Sequence, residues 1–233
     1  MALAEDLRRR LGGVRYAGLW MPRSERQARR YILNDDDPVA FDRSGQEAAD
    51  RLAPFLSPEA TVVDLGCGIG RVALHAAPRC RYLWAVDASP LMLRYARRRL
   101  AHLANVRYAR SRGTAVPDVP TGSADLVYSL LVLQHVERED AFLLLEDVRR
   151  MLRPGGTAYL TFPNLLSDTY LQAFTDYAHQ GLSGRRARAR FYTPEEVARI
   201  VPAAGLEVSS IEPGTEIVVV CTAPAGPPEP PAD

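Results

Sequence analysis

From Thr61 onward, short apolar strands alternate with amphipathic helices, and the first strand runs straight into a glycine-rich turn, VVDLGCGIGR, Val62 to Arg71. Few folds accept that order. Each strand–helix–strand crossover returns the next strand parallel to the last, so the sheet must be parallel and covered by helices on both faces. The spacing predicts strands at 61–65, 82–86 and 105–109, ADLVYSL as the fourth and TAYLTF as the fifth. Helices are expected from about Arg71, over 90–103 and near 139–152, with RPGG as the turn before strand five. A helix over 194–203 follows, then LEVSSIE and EIVVVCTA around Pro213-Gly214, a turn signal for an antiparallel hairpin at the sheet edge.

The expected fold is therefore α/β, a doubly wound, mostly parallel seven-stranded sheet closed by that hairpin. Residues 1–58, with the acidic NDDDP and the amphipathic GQEAADRLAPFL, read as a helical lid over the domain 59–223. A helical insertion at 165–190 interrupts the rhythm, and the tail 224–233, PAGPPEPPAD, is too rich in proline to pack. With 233 residues, 47% of them apolar, the chain can bury one sizeable core.

A formal charge of +1 gives no overall field for nucleic acid or an anionic membrane, so neither is an expected partner. All 29 basic residues are arginine, which makes the run GRRARAR (Gly184 to Arg190) a solvated loop before it is a phosphate site. Cys67, Cys80 and Cys221 are odd in number and lack C-x-x-C spacing, which argues against disulfides and zinc and for a reducing cytoplasm. No apolar run reaches the roughly 18 residues of a membrane span. The start, MALAEDLRRRLGG, has charges where a signal peptide has its apolar stretch.

The glycine loop reads G-x-G-x-G (Gly66, Gly68, Gly70), not the G-x-G-x-x-G of dinucleotide sites, and Asp64 stands at its mouth. A carboxylate there repels pyrophosphate and attracts an ammonium, while the glycines let backbone approach the ligand. Asp87 follows the second strand, 23 residues after Asp64, where an acid takes ribose hydroxyls. Ser89, ahead of Pro90, is placed to cap the next helix, which leaves Asp87 for the ligand. S-adenosylmethionine carries both an ammonium and a ribose.

From here the sequence resembles the class I S-adenosylmethionine-dependent methyltransferases over roughly Asp35 to Ala223. VVDLGCGIGR is similar to the family's first motif, VDASPLMLRYAR to its second, SADLVYSLLVLQHV to the fourth-strand motif, MLRPGG to the turn before strand five, and FYTPEEVARIVPAAGLEV to its late helix and sixth strand. The resemblance implies that Asp64, Gly66, Cys67, Gly68 and Gly70 surround the methionyl end and that Asp87 binds the ribose. It places Ala88 and Met92 along the adenine, and Ser129 and Leu130 against the methionyl group and sulfonium. Where the family often has an acid for the adenine amino group, this chain has SRGTAVP with Arg112, which shifts that contact to backbone near Gly113.

Methyl transfer is an in-line displacement that needs alignment in a dry site and no covalent intermediate. Amide and adenine amino methylases of this class resemble one another in an N-P-P-Y-like tetrad after strand four, where this chain reads YSLLVLQH; no Pro-Cys nucleophile lies there either. Catechol-type enzymes resemble one another in metal-binding acids after strands four and five, where this chain has Ser129 and Pro163-Asn164, so no metal is expected. What remains is transfer to a small-molecule acceptor, foremost to oxygen on a sugar or natural-product scaffold. Residues 35–55 and the insertion would supply its pocket, with Tyr170, Phe174, Tyr177, Phe191 and Tyr192 as walls or as ordinary core. His135 stays open between two roles: a base for a hydroxyl proton, or a buried histidine bonded to backbone. Two rivals are a catalytically silent cofactor-binding protein and an NAD-type oxidoreductase, the second disfavoured by the loop spacing and Asp64.

Overall fold

A computed structural model of the chain describes residues 16–179 and 189–226. The start of the expected lid, most of the arginine run and most of the proline-rich tail lie outside the described residues. Residues 16–19 are helical, followed by α1 (Glu25–Leu33) and α2 (Pro38–Arg51). The alternating part comprises β1 (Thr61–Leu65), α3 (Ala73–Ala76), β2 (Tyr82–Asp87), α4 (Pro90–Arg99), β3 (Val106–Arg110), β4 (Ala124–Ser129), α5 (Arg138–Met151) and β5 (Leu152–Pro163). Then come α6 (Asp168–His179), α7 (Pro194–Ala203), β6 (Glu207–Pro213) and β7 (Glu216–Thr222).

The seven strands lie in the order β3-β2-β1-β4-β5-β7-β6. Strands β1 to β5 pair in parallel, and β7 runs antiparallel between β5 and β6. Alternation along each strand separates two apolar layers. Val63, Leu65, Val86 and Val127 face α5 and α7 through Leu145, Val148 and Val201, while Val62, Leu83, Ala85 and Leu126 face α2, α3 and α4 through Ala48, Ala76 and Ala96. Each Val or Leu fully buried in these layers contributes about 1.5–3 kcal/mol. Two buried faces on one sheet are what crossover helices require.

Three local expectations change. The helix after the glycine loop is one turn, α3, followed by a 3-10 turn at Ala77–Arg79, because Pro78 brings no N–H to continue the ladder. RPGG is not a free turn: β5 begins at Leu152, pairs with Ala124, and resumes at Thr157 opposite Leu126 after an irregularity that holds Gly155 at φ 70°. The helix expected over 90–103 stops at Arg99, and Leu103 N–H closes a turn onto the Leu100 carbonyl.

Candidate active site

The loop after β1 is pinned to the end of β2. Gly66 N–H and Cys67 N–H both donate to the Val86 carbonyl at 2.8 Å, which brings the glycines to the carboxyl ends of the strands. Gly66 has φ 87° and a Cβ there would overlap the Val132 side chain; Gly68, at φ 55°, would meet Ile32 Cδ1 at 2.8 Å. These glycines leave room for two other parts of the chain as well as for a ligand. Gly70 packs away from the cleft, on Leu100.

An open cleft lies over this loop, enclosing roughly 970 Å³ between atoms with its mouth included. Asp64 lines it at 4% exposure, with Oδ2 enclosed and unpartnered. Burial raises its carboxyl to about pH 7, against the opposing pull of Tyr128 and Arg71. Arg71 also lines the cleft, its Nη1 donating to the Ser44 carbonyl at 2.8 Å. Asp87 stands across the loop, its Oδ2 accepting from Gly68 N–H at 2.9 Å and its Oδ1 from Ser89 N–H at 2.8 Å. Burial pushes Asp87 up to about pH 6. An ionised carboxylate has about four acceptor sites, so both oxygens keep capacity toward the cleft. Ser89 Oγ accepts from Met92 N–H at 3.2 Å and so caps α4, the task expected of it.

The opposite wall comes from the segment after β4 and from the N-terminal residues. Leu131 adopts φ 61°, unusual for a leucine, and its N–H is held by Thr161 Oγ1 at 3.1 Å. This turn aims Leu130, Leu131 and Val132 into the cleft and leads into His135. Trp20 packs edge-on against the His135 ring, centroids 4.7 Å apart, and against Tyr31 at 6.0 Å. Ser89 Oγ donates to the Trp20 carbonyl, tying the N-terminal segment to the head of α4. Gln134 Nε2 lies 3.1 Å from His135 Nε2. An amide N–H there donates, so Nε2 accepts and the ring proton sits on Nδ1, which is enclosed without a partner, as is Gln134 Oε1. Burial, with the positive charge of Arg190 adding, lowers the imidazole to about pH 4.

Among the sequence-derived site residues, Asp64, Gly66, Cys67, Gly68, Asp87, Ala88, Met92, Gly113, Leu130 and His135 all line this one cleft. Ser129 does not. It is fully buried, and its hydroxyl donates to the Leu65 carbonyl at 3.1 Å. Cys67 is a buried free thiol that burial pushes far above its ordinary range, which suits packing and not nucleophilic attack. Arg112 is exposed, while Ser111 Oγ accepts from Gly113 N–H at 3.0 Å beside the cleft.

None of the five aromatics expected to wall an acceptor pocket lines the cleft. Tyr170, Phe174 and Tyr177 gather around Phe191, with ring centroids 5.7, 6.1 and 5.8 Å from it, and Tyr192 packs on Phe162. Residues 35–55 do not line it either. Sequence reasoning missed Trp20, Tyr31, Ile32 and Arg71. The one available signal was Trp20, one of two tryptophans, immediately ahead of Met21-Pro22.

A methyltransferase-domain family profile matches residues 62–156. The chain is 34% identical over 150 residues to a malonyl-[acyl-carrier protein] O-methyltransferase of Hahella chejuensis, a match that covers 62% of this chain and 50% of that one. It is 32% identical over 139 residues to an uncharacterized methyltransferase of Mycobacterium tuberculosis, covering 58% of this chain and 68% of the relative. The chain belongs to the class I S-adenosylmethionine-dependent methyltransferases. It spans half the length of the Hahella protein and about two thirds of the mycobacterial one. The fold of this chain agrees with that of a Methanosarcina mazei S-adenosylmethionine-dependent methyltransferase at TM-score 0.63 and 14% identity, over 76% of this chain and 98% of that one. The residues of the cleft fit the family's cofactor on their own chemistry: an enclosed carboxylate oxygen lacks a partner, and a second carboxylate is held in place by two backbone N–H groups.

Proposed function

We propose that this protein transfers a methyl group from S-adenosylmethionine to a small-molecule acceptor, without a metal, foremost to an oxygen. The observation that carries this is the pair Asp64 and Asp87 on one cleft, the first with an unpartnered buried oxygen suited to an ammonium. Asp64 and the loop Gly66 to Gly68 hold the methionyl end, Asp87 takes the ribose hydroxyls, and Ala88, Met92 and Gly113 line the adenine. Bound there, the cofactor supplies an electrophilic methyl on a sulfonium. The chain's part is to align acceptor and donor and to exclude water, which the apolar wall of Leu131, Val132 and Trp20 serves. Among the described residues no three His, Cys, Asp or Glu side chains converge as metal ligands. No described helix is long and apolar enough to cross a membrane. Three buried free thiols suit a reducing cytoplasm.

Calorimetry tests the assignment. S-adenosylmethionine and its demethylated product bind and NADH does not, and Asp87→Ala weakens binding by about 1.5–3 kcal/mol, the scale of hydrogen bonds to a charged group. NADH binding without a response to the sulfonium compound would sink the proposal. Unchanged affinity in the variant would reduce Asp87 to a partner of Gly68 and Ser89.

His135 is proposed as the group that takes the acceptor proton. That requires the Gln134 amide to turn over, so that Oε1 receives Nε2–H and the Nδ1 lone pair is released. With its imidazole near pH 4, His135 is neutral through the physiological range. The rate therefore loses its His135-dependent limb as pH falls through about 4, not near neutrality. His135→Ala slows turnover roughly a hundredfold with cofactor affinity nearly intact. A purely structural role predicts instead a lower melting temperature and activity that falls only with the folded fraction.

A further inference from the structure

We infer that the acceptor end of the cleft takes a flat, uncharged aromatic ring carrying the methyl-accepting group, in preference to a sugar or an anion. This rests on the methyltransferase reading and narrows it. The wall that closes on the glycine loop is built from Trp20, Tyr31, Ile32, Leu131, Val132 and Val136, all carbon-rich surfaces, with Val132 packed at Gly66 and Ile32 at Gly68. Trp20 already meets two rings edge-to-face, His135 and Tyr31, and it is only half-buried on the cleft, which leaves part of its surface for a third.

Polar partners along this wall are few. The Tyr16 hydroxyl donates to Asp140 and accepts from Glu137 N–H at 3.1 Å. The Leu131 N–H is taken by Thr161, and the His135 N–H by the Val132 carbonyl at 2.8 Å. A sugar brings several hydroxyls, each of which costs free energy when it loses water without finding a partner. One hydroxyl on a ring needs one partner, and His135 is placed to be it.

Charge excludes the second class. Two acids, Asp64 and Asp87, share the cleft, and the Arg71 guanidinium is anchored to Ser44. With the cofactor ammonium on Asp64, what a carboxylate or phosphate on the acceptor lacks at this wall, among the described residues, is a cation to receive it. A neutral ring needs none.

The experiment uses the Trp84→Phe protein, in which Trp20 is the one remaining tryptophan, saturated with the demethylated cofactor. Trp20 fluorescence is followed on adding phenol, catechol or 2-naphthol, then methyl glucoside, then benzoate. The aromatic alcohols are expected to give saturable quenching, while the glucoside and benzoate give none. Calorimetry on Trp20→Ala shows the aromatic alcohols binding at least about tenfold more weakly, with Trp20→Phe restoring most of the loss. Retained binding of the demethylated cofactor shows that both variants are folded. Saturable glucoside or benzoate binding without an aromatic response overturns the inference, as does undiminished aromatic binding in Trp20→Ala. Failure of the demethylated cofactor itself to bind the parent protein overturns the methyltransferase reading and this inference with it.

Discussion

Gly66→Ala lowers the melting temperature and removes most of the affinity for the cofactor. Two separate penalties meet at this residue. Its φ of 87° lies outside the left-handed region that side chains tolerate, a strain of about 1–3 kcal/mol. The added methyl also overlaps Val132, and overpacking of this kind costs about 1–3 kcal/mol. Relaxation must move either the loop that carries Cys67 and Gly68 or the turn that carries Leu131 and Val132. Both line the cleft, so stability and binding fall together. Adding Val132→Ala relieves the overlap but not the dihedral, and the double variant recovers part of the stability. Gly68→Ala is milder, because its φ of 55° is within reach of alanine and the atom it meets is the far end of Ile32. Thermal melts and calorimetry on the three variants rank them. A Gly66→Ala protein with parental melting and affinity would show that the loop is less constrained than its geometry requires.

The alternation of strands and helices was readable because β1 and β4 are short and almost fully buried, and β1, β2 and β4 are each followed by a helix that returns the chain for the next parallel strand. Asp64 and Asp87 were readable for the same reason: their places at the ends of β1 and β2 follow from strand register, and Asp64 pairs in register with Ala85. The wall of the cleft was not. Trp20 reaches the site through a hydrogen bond from Ser89, 69 residues away, and no local periodicity encodes where such a segment docks. Leu131 carries a conformation that leucine seldom adopts, imposed by Thr161 on the neighbouring strand and not by its own propensity. Of the pair Ser129 and Leu130, Leu130 meets the cleft while the Ser129 hydroxyl turns into the sheet toward Leu65, as alternation along a strand sends neighbours to opposite sides. The aromatics around Phe191 follow the commoner fate of such side chains, which is to pack on one another.

Asp64→Asn stabilises the unliganded protein above neutrality while removing most of its cofactor affinity. Burial raises the Asp64 carboxyl from an ordinary 3.8 to about 7, so the folded chain holds a proton that the unfolded chain has already lost between those values. Its contribution to stability is therefore full below the unfolded value and lost as pH rises through about 7. At higher pH the fold carries an enclosed carboxylate oxygen without a partner, and the neutral amide relieves a penalty on the order of 2–4 kcal/mol. An ammonium beside Asp64 reverses the balance by favouring the ionised form. Cofactor affinity then climbs between about pH 5 and 8, and binding near neutrality releases a proton. Asp87, raised to about 6, adds a term of the same sign at lower pH, so Asp64→Asn keeps a residual pH dependence centred there. Melting curves across this range, with calorimetry in buffers of different ionisation enthalpy, measure both effects. A variant that melts at the parental temperature at high pH, or binds the cofactor with parental affinity, would mean that the buried charge is neutralised by Arg71 and not by the ligand.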